Sequence, residues 1–263
     1  MNIFDLYNDK TNYEVTDFVQ QLDFDVDIET LRKEIFSLIV KNNYGTKVVS
    51  LRMPKDNLNW VDPEEILESG AVGPFAMGDV GTKPANRLEN NSYTEWHPDL
   101  KNSYLTSLAT DIEKLIGMPI GRVRLGWLQP HCGYPIHADT EPMRIHIPIF
   151  TNDLAYIIHN GKLTNMQYGK VYHLITPKIH TAWNFSRLLP RLHLIFSTCP
   201  DQKQTELITE ISSLSTTEEN IRNHLTHTGV DKYSLLQYLK LEDIKPNSDK
   251  FKQISRIIKI LEG

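Results

Sequence analysis

The stretch "PIHADTEPMRIHIPIF", residues 135–150, decides how this chain folds. From Met143 onward polar and apolar residues alternate: Arg144 and His146 on one side, Ile145 and Ile147 on the other, the period-two pattern of a β-strand. In most half-buried strands such a polar face meets water. Two features point it inward instead. A second strand, "RLHL" at 191–194, repeats the arrangement, with Arg191 and His193 opposed to Leu192 and Leu194, which need a core. Just ahead of the first strand, His137 and Asp139 lie two residues apart, so on extended backbone both side chains project to one side.

Two histidines and one carboxylate are the donor set of a facial triad, which holds Fe(II) on three positions and leaves three open. His137 and Asp139 supply two members. His180, at the start of a strand after "TPKI", is the best third ligand, with His173 and His146 as competitors. Arg191 follows His180 by eleven residues, one antiparallel turn away, and its planar fork suits a carboxylate. Seven of the ten histidines fall in this part of the chain: His131, His137, His146, His159, His173, His180 and His193.

Around these motifs the chain reads as all-β from 118 to 200. Candidate strands span 121–128, 144–150, 154–159, 171–176, 180–186 and 191–198, separated by Gly, Pro, Asn and Asp, the spacing of a barrel, sandwich or jelly roll. Trp127 and Trp183 read as packing residues. Upstream, Asp27 is an N-cap for an amphipathic helix striped by Ile28, Leu31, Ile35 and Leu38. A second helix carries Leu105, Leu108, Ile112 and Leu115 and ends at Gly117. Between them, residues 53–98 are broken by five prolines and four glycines yet hold Trp60, Phe75, Tyr93 and Trp96, which reads as ordered wrapping near a mouth. Past Pro200 the helical period returns, with a capping box at Thr216 and Glu219 and a final stripe of Phe251, Ile254, Ile258 and Leu261. Residues 1–200 therefore form the main domain and 201–263 a small helical region.

Composition narrows the function. Lys and Arg number 28 against 33 Asp and Glu, a net charge of −5, so no electrostatic footprint for nucleic acid or an anionic membrane exists. Two cysteines, Cys132 and Cys199, are too few for a disulfide framework and suit a reducing cytosol. No apolar run reaches membrane-spanning length, and the expected location is the cytoplasm.

The set His137-Ala-Asp139, Arg144-Ile-His146, His180 and Arg191-Leu-His193 resembles the Fe(II)- and 2-oxoglutarate-dependent oxygenases. Within them it is most similar to the aspartyl/asparaginyl β-hydroxylase-like branch, which also contains bacterial free-proline hydroxylases. The resemblance covers residues 118 to 200 at motif level. It implies a mainly β, double-stranded β-helix (jelly-roll) fold with flanking N-terminal helices and a C-terminal helical appendage. It further implies His137, Asp139 and His180 as iron ligands and Arg191 on the far carboxylate of 2-oxoglutarate. Arg144 and His146 match positions that help bind the co-substrate in some relatives, and His193 shares Arg191's side of its strand. With Asp139 present, hydroxylation using O2 is implied rather than halogenation, as in the proline hydroxylase type.

Substrate recognition is expected from Arg122 and Arg124, on one face of the strand leading into "GWLQPHCGYPIHAD", and from Asn184, which shares the parity of His180. The substrate is a free, proline-like amino acid or an Asp, Asn or Pro residue of a polypeptide. A metal-binding, cupin-like protein that acts on or senses a small acid without oxygen is the alternative, and Arg191 separates the two. Nothing in the sequence sets the oligomeric state.

Overall fold

The computed structural model of the chain describes residues 19–46, 48–55, 88–134, 139, 141, 143–178, 180–213, 222, 223, 255 and 259. The wrapping expected of 53–98 falls largely, and the capping box at Thr216 and Glu219 wholly, outside the described residues.

Twelve strands are described: β1 (Val19–Leu22), β2 (Val49–Ser50), β3 (Arg52–Pro54), β4 (Tyr93–Trp96), β5 (Ile120–Leu128), β6 (Cys132–Gly133), β7 (Met143–Phe150), β8 (Ala155–His159), β9 (Lys162–Thr164), β10 (Val171–Ile175), β11 (His180–Asn184) and β12 (Arg191–Thr198). The six strands read from the sequence match β5, β7, β8, β10, β11 and β12, with boundaries moved by at most two residues. The short strands β1 to β4, β6 and β9 carry too few residues for a periodic pattern to declare itself.

A six-stranded sheet runs in the order β1-β10-β7-β12-β5-β2, a four-stranded sheet in the order β6-β11-β8-β9, and β3 pairs with β4. All pairings are antiparallel. From β5 the chain passes to β6 in the smaller sheet, back to β7, across to β8 and β9, back to β10, across to β11 and back to β12. That regular alternation between two facing sheets is the winding of a double-stranded β-helix, the jelly roll expected from the sequence.

The two faces of the larger sheet differ in chemistry. Outward lie Val123, Leu125, Ile145, Ile147, Ile149, Leu192, Leu194 and Phe196, each fully buried. Two helices cover them: α1 (Ile28–Lys41), through Leu31, Ile35 and Leu38, and α2 (Tyr104–Ile116), through Leu105, Leu108, Ile112 and Ile116. Full burial of such side chains contributes about 1.5–3 kcal/mol each. This apolar contact fixes strand parity, because a slip by one residue would turn every polar side chain to the helices.

The helix ends follow their sequence. The Asp27 carboxylate accepts from the Thr30 backbone N–H at 3.1 Å. Gly117 closes α2 at φ 70°, the left-handed C-cap that favours glycine. The first N–H groups of α2 are held from α1, where the Glu34 carboxylate accepts from Tyr104 at 2.6 Å and Leu105 at 3.0 Å. A third helix, α3 (Gln202–Ser213), follows β12 and buries Ile208 in the same core.

In the smaller sheet, Trp183 stands opposite Gly133, and its ring covers the glycine where a side chain would be. A Cβ at Gly133 would lie 1.6 Å from Trp183 Cε3, so the pairing of β6 with β11 requires glycine there. Gly133→Ala should therefore displace Trp183 and destabilise the fold by about 1–3 kcal/mol, measured as a lower urea midpoint with unchanged slope.

Candidate active site

Register carries the outward face of the larger sheet over to its inward one. Ile195 pairs with both Arg124 on β5 and His146 on β7, and Ser197 pairs with Arg144. On the face opposite the helices the sheet therefore presents Arg122, Arg124, Arg144, His146, Arg191, His193 and Ser197, all buried. The smaller sheet faces them with His180 and, directly across the β11–β8 pair, His159. The two repeats read from the sequence thus lie on neighbouring strands with their Arg/His faces turned into the interior.

Of the three expected metal ligands, Asp139 and His180 come together, and His137 lies outside the described residues. His180 Nε2 is 3.5 Å from Asp139 Oδ2. The His180 Nδ1 contacts the Lys178 carbonyl at 2.8 Å. A carbonyl only accepts, so Nδ1 carries the proton, and in the neutral ring Nε2 turns a lone pair toward a carboxylate oxygen. Metal–ligand bonds of about 2.0–2.2 Å to each of the two atoms would span that distance. The donor chemistry fits a divalent metal. Among the described residues no cluster of three His, Cys, Asp or Glu side chains of metal-binding geometry occurs.

The carboxylate is held from behind. The Asp139 backbone N–H donates to the Thr176 carbonyl at 2.9 Å. Arg144 Nη1 is 2.8 Å from Asp139 Oδ2, and Arg144 Nε donates to Glu141 Oε2 at 2.9 Å. Ser197 Oγ donates to the same Glu141 oxygen at 3.1 Å, and Thr176 Oγ1 donates to the Glu141 carbonyl. Arg144 thus bridges two carboxylates, one of them the expected metal ligand. Glu141 was not singled out in the sequence. Its only sign there is its position three residues before Arg144 in a Pro- and Thr-containing turn.

Deeper in the interior Arg191 is 2% exposed, and neither its Nε nor its Nη1 has a hydrogen-bond partner among the described residues. Burial lowers its pKa to about 10, partly offset by Tyr134 nearby. Beside it, His146 and His193 meet edge to face with Nδ1 atoms 3.3 Å apart. Burial, then Arg191, Arg144 and Arg124, hold the His146 pKa well below the usual histidine value; burial, Arg191 and His146 do the same for His193. Both rings are neutral, and one proton shared between the Nδ1 atoms leaves one Nε2 protonated and the other bare. Both Nε2 atoms are buried and without partners among the described residues. Fully buried polar atoms left this way are costly, and their concentration around a guanidinium marks a place built for an anion.

The remaining candidates divide. Arg124 lies close enough to His146 to depress its pKa. Arg122 sits under Tyr93, 5.9 Å from the ring centre, with its Nε 3.4 Å from Ser50 Oγ. Asn184 is not brought to the site. Its Nδ2 donates to the carbonyls of Leu128, Gln129 and Leu189, and its Oδ1 accepts from Asn152 and the Ser186 backbone, so both ends of the amide tie loops together. His173, one of the two competitors for the distal ligand, points to the opposite face of its sheet: it follows Tyr172, which pairs with inward-facing His146, and its Nε2 donates to Gln20 Oε1 at 3.4 Å.

The jelly-roll interior thus holds a histidine–carboxylate pair and, among the described residues, a buried arginine with no carboxylate beside it. Residues 97–199 match the family model of the aspartyl/asparaginyl β-hydroxylases, the branch that the motifs of this chain resemble. Among solved structures the chain is similar to a prolyl-4-hydroxylase from Pseudomonas putida, with 10% identity over 71% of this chain and 97% of that one, at a TM-score of 0.38. It is also similar to an oxidoreductase of the 2OG-Fe(II) oxygenase family from Burkholderia pseudomallei, with 14% identity over 34% of this chain at a TM-score of 0.30. There the match spans only 50% of the other protein's length. No curated protein sequence matches the chain.

His173 provides a test of the neutral interior. Burial lowers its pKa to about 3, so below the ordinary histidine value the unfolded chain takes up a proton that the fold excludes. Stability is then lost as pH falls from about 6.5 toward 3, at up to about 1.4 kcal/mol per pH unit for each such histidine, and is unaffected above that window. His173→Phe should flatten the dependence by one proton between about pH 6 and 4.5, read from urea unfolding at each pH.

Proposed function

We propose that the chain is an Fe(II)- and 2-oxoglutarate-dependent dioxygenase that hydroxylates an amino acid, either free and proline-like or an Asp, Asn or Pro residue of a polypeptide. The observation that carries this reading is Arg191, a guanidinium buried in the jelly-roll interior with two nitrogens that have no partner among the described residues and two neutral histidines beside it. A dicarboxylate supplies the missing charge, and its far carboxylate accepts the fork of Arg191.

His137, Asp139 and His180 would hold the iron. Bound there with 2-oxoglutarate, the metal supplies oxidative chemistry in which O2 and the keto acid become succinate, carbon dioxide and one hydroxyl group on the substrate carbon. The protein's own share is positioning and exclusion of water. Lys178, through its carbonyl, fixes the ring of His180 so that Nε2 faces Asp139. Arg144 and Glu141 hold the Asp139 carboxylate in place. His193 and His146 flank Arg191 and offer one donor and one acceptor to the co-substrate. Arg122 and Arg124, on the far side of β12 from His146, are the groups for an anionic part of the substrate. None of the described helices is long and apolar enough to cross a membrane, and we place the enzyme in the cytoplasm on the strength of its two free cysteines.

The test is anaerobic addition of Fe(II) and 2-oxoglutarate, which should produce a visible charge-transfer band, followed in air by succinate release across a panel of amino acids and peptides. Folded protein showing neither band nor succinate would overturn the proposal. Arg191→Met should weaken 2-oxoglutarate binding by about 1.5–3 kcal/mol, on the order of 10- to 100-fold, with iron affinity unchanged. The band, titrated with each component in turn, separates the two.

A further inference from the structure

We infer that Glu141 keeps the Asp139 carboxylate available to a metal by holding part of the Arg144 guanidinium away from it. The inference rests on the reading of Asp139 as a metal ligand, and it makes Glu141 a positioning residue that acts through Arg144. Among the described residues Arg144 meets two carboxylates, each through one nitrogen: Nε donates to Glu141 Oε2 at 2.9 Å, and Nη1 is 2.8 Å from Asp139 Oδ2. The fork that could close on one carboxylate is thereby divided between two. Glu141 is itself fixed to the larger sheet. Its Oε2 also accepts from Ser197 Oγ at 3.1 Å, Ser197 pairs with Arg144 across β12 and β7, and Thr176 Oγ1 donates to the Glu141 carbonyl. Glu141, Arg144 and Ser197 are 6%, 7% and 0% exposed, so the two carboxylates compete for the guanidinium out of water.

The oxygen concerned is Asp139 Oδ2, which lies 2.8 Å from Arg144 Nη1 and 3.5 Å from His180 Nε2. A metal held between Asp139 and His180 shares that oxygen with the guanidinium or displaces it, so metal affinity falls as the Arg144–Asp139 pair strengthens. In a low-dielectric interior a cation with one carboxylate partner grips it more tightly than a cation shared between two, most of all when the pair closes as a fork. The Glu141 charge answers Arg144 from another side and so weakens its hold on Asp139. Without that charge, Asp139 is the carboxylate left among the described residues for the whole guanidinium, and a metal must compete with it.

Glu141→Gln removes the charge, while its side-chain carbonyl can still accept from Arg144 and Ser197. Apo protein is titrated with Co(II), whose visible d–d absorption reports affinity without turnover, in wild type, Glu141→Gln, Arg144→Met and the double variant, with thermal midpoints recorded alongside. Glu141→Gln is expected to bind Co(II) about 10–100-fold more weakly than wild type. In the Arg144→Met background, where no guanidinium is left to divert, the same substitution should lower affinity by less than about threefold. Wild-type affinity in Glu141→Gln, or a loss that persists in the Arg144→Met background, overturns the role. The first result shows no influence of Glu141, and the second an influence of its charge that bypasses Arg144; both leave the metal site standing. Glu141→Leu and Arg144→Gln replace any variant that does not fold and are judged by the same criteria. Folded wild-type protein that binds no Co(II) overturns the metal site itself, and this inference with it.

Discussion

A guanidinium buried in a β-sheet core governs the rest of this structure. Arg191 is flanked along its strand by Leu192 and Leu194, which are fully buried against helices on the other side of the sheet. Period two allows no compromise: with those leucines in the core, Arg191 and His193 must enter the opposite face. That face is also enclosed, because the smaller sheet closes over it. The apolar energy of the outer layer thus holds charged side chains in a place they would not choose alone.

The interior answers this cost unevenly. Near Asp139 the charges are matched, with Arg144 set between two carboxylates and Ser197 completing Glu141. Around Arg191 no carboxylate answers among the described residues, and the neighbouring histidines stay neutral because protonating either would add a further buried charge. One end of the polar face is internally satisfied, and the other is left cationic among the described residues.

Much of this was readable in the chain. The Arg/His against Ile/Leu alternation of 144–147 and 191–194 announced a polar interior face, and the two amphipathic helices with their Asp27 and Gly117 caps announced what covers the other. The family resemblance read from these motifs agrees with the family match over 97–199. Glu141, which holds Arg144, and His159, which bridges the two sheets to Ile175, were given no part, and Asn184 was given a substrate role although its amide is bonded to loop carbonyls. A lone acid in a turn and one histidine among seven carry no local mark of what they will touch.

The sequence by itself determined which residues alternate, which strands exist and which side chains share a face, because those follow from the geometry of a single strand. Only the tertiary structure decided that His159 stands opposite His180, that Arg144 is shared between Asp139 and Glu141, and that His146 and His193 meet through their Nδ1 atoms. Each of these depends on strand register and on how two sheets are superposed. Such distances are set by the packing of the whole core, and no local stretch of the chain contains them.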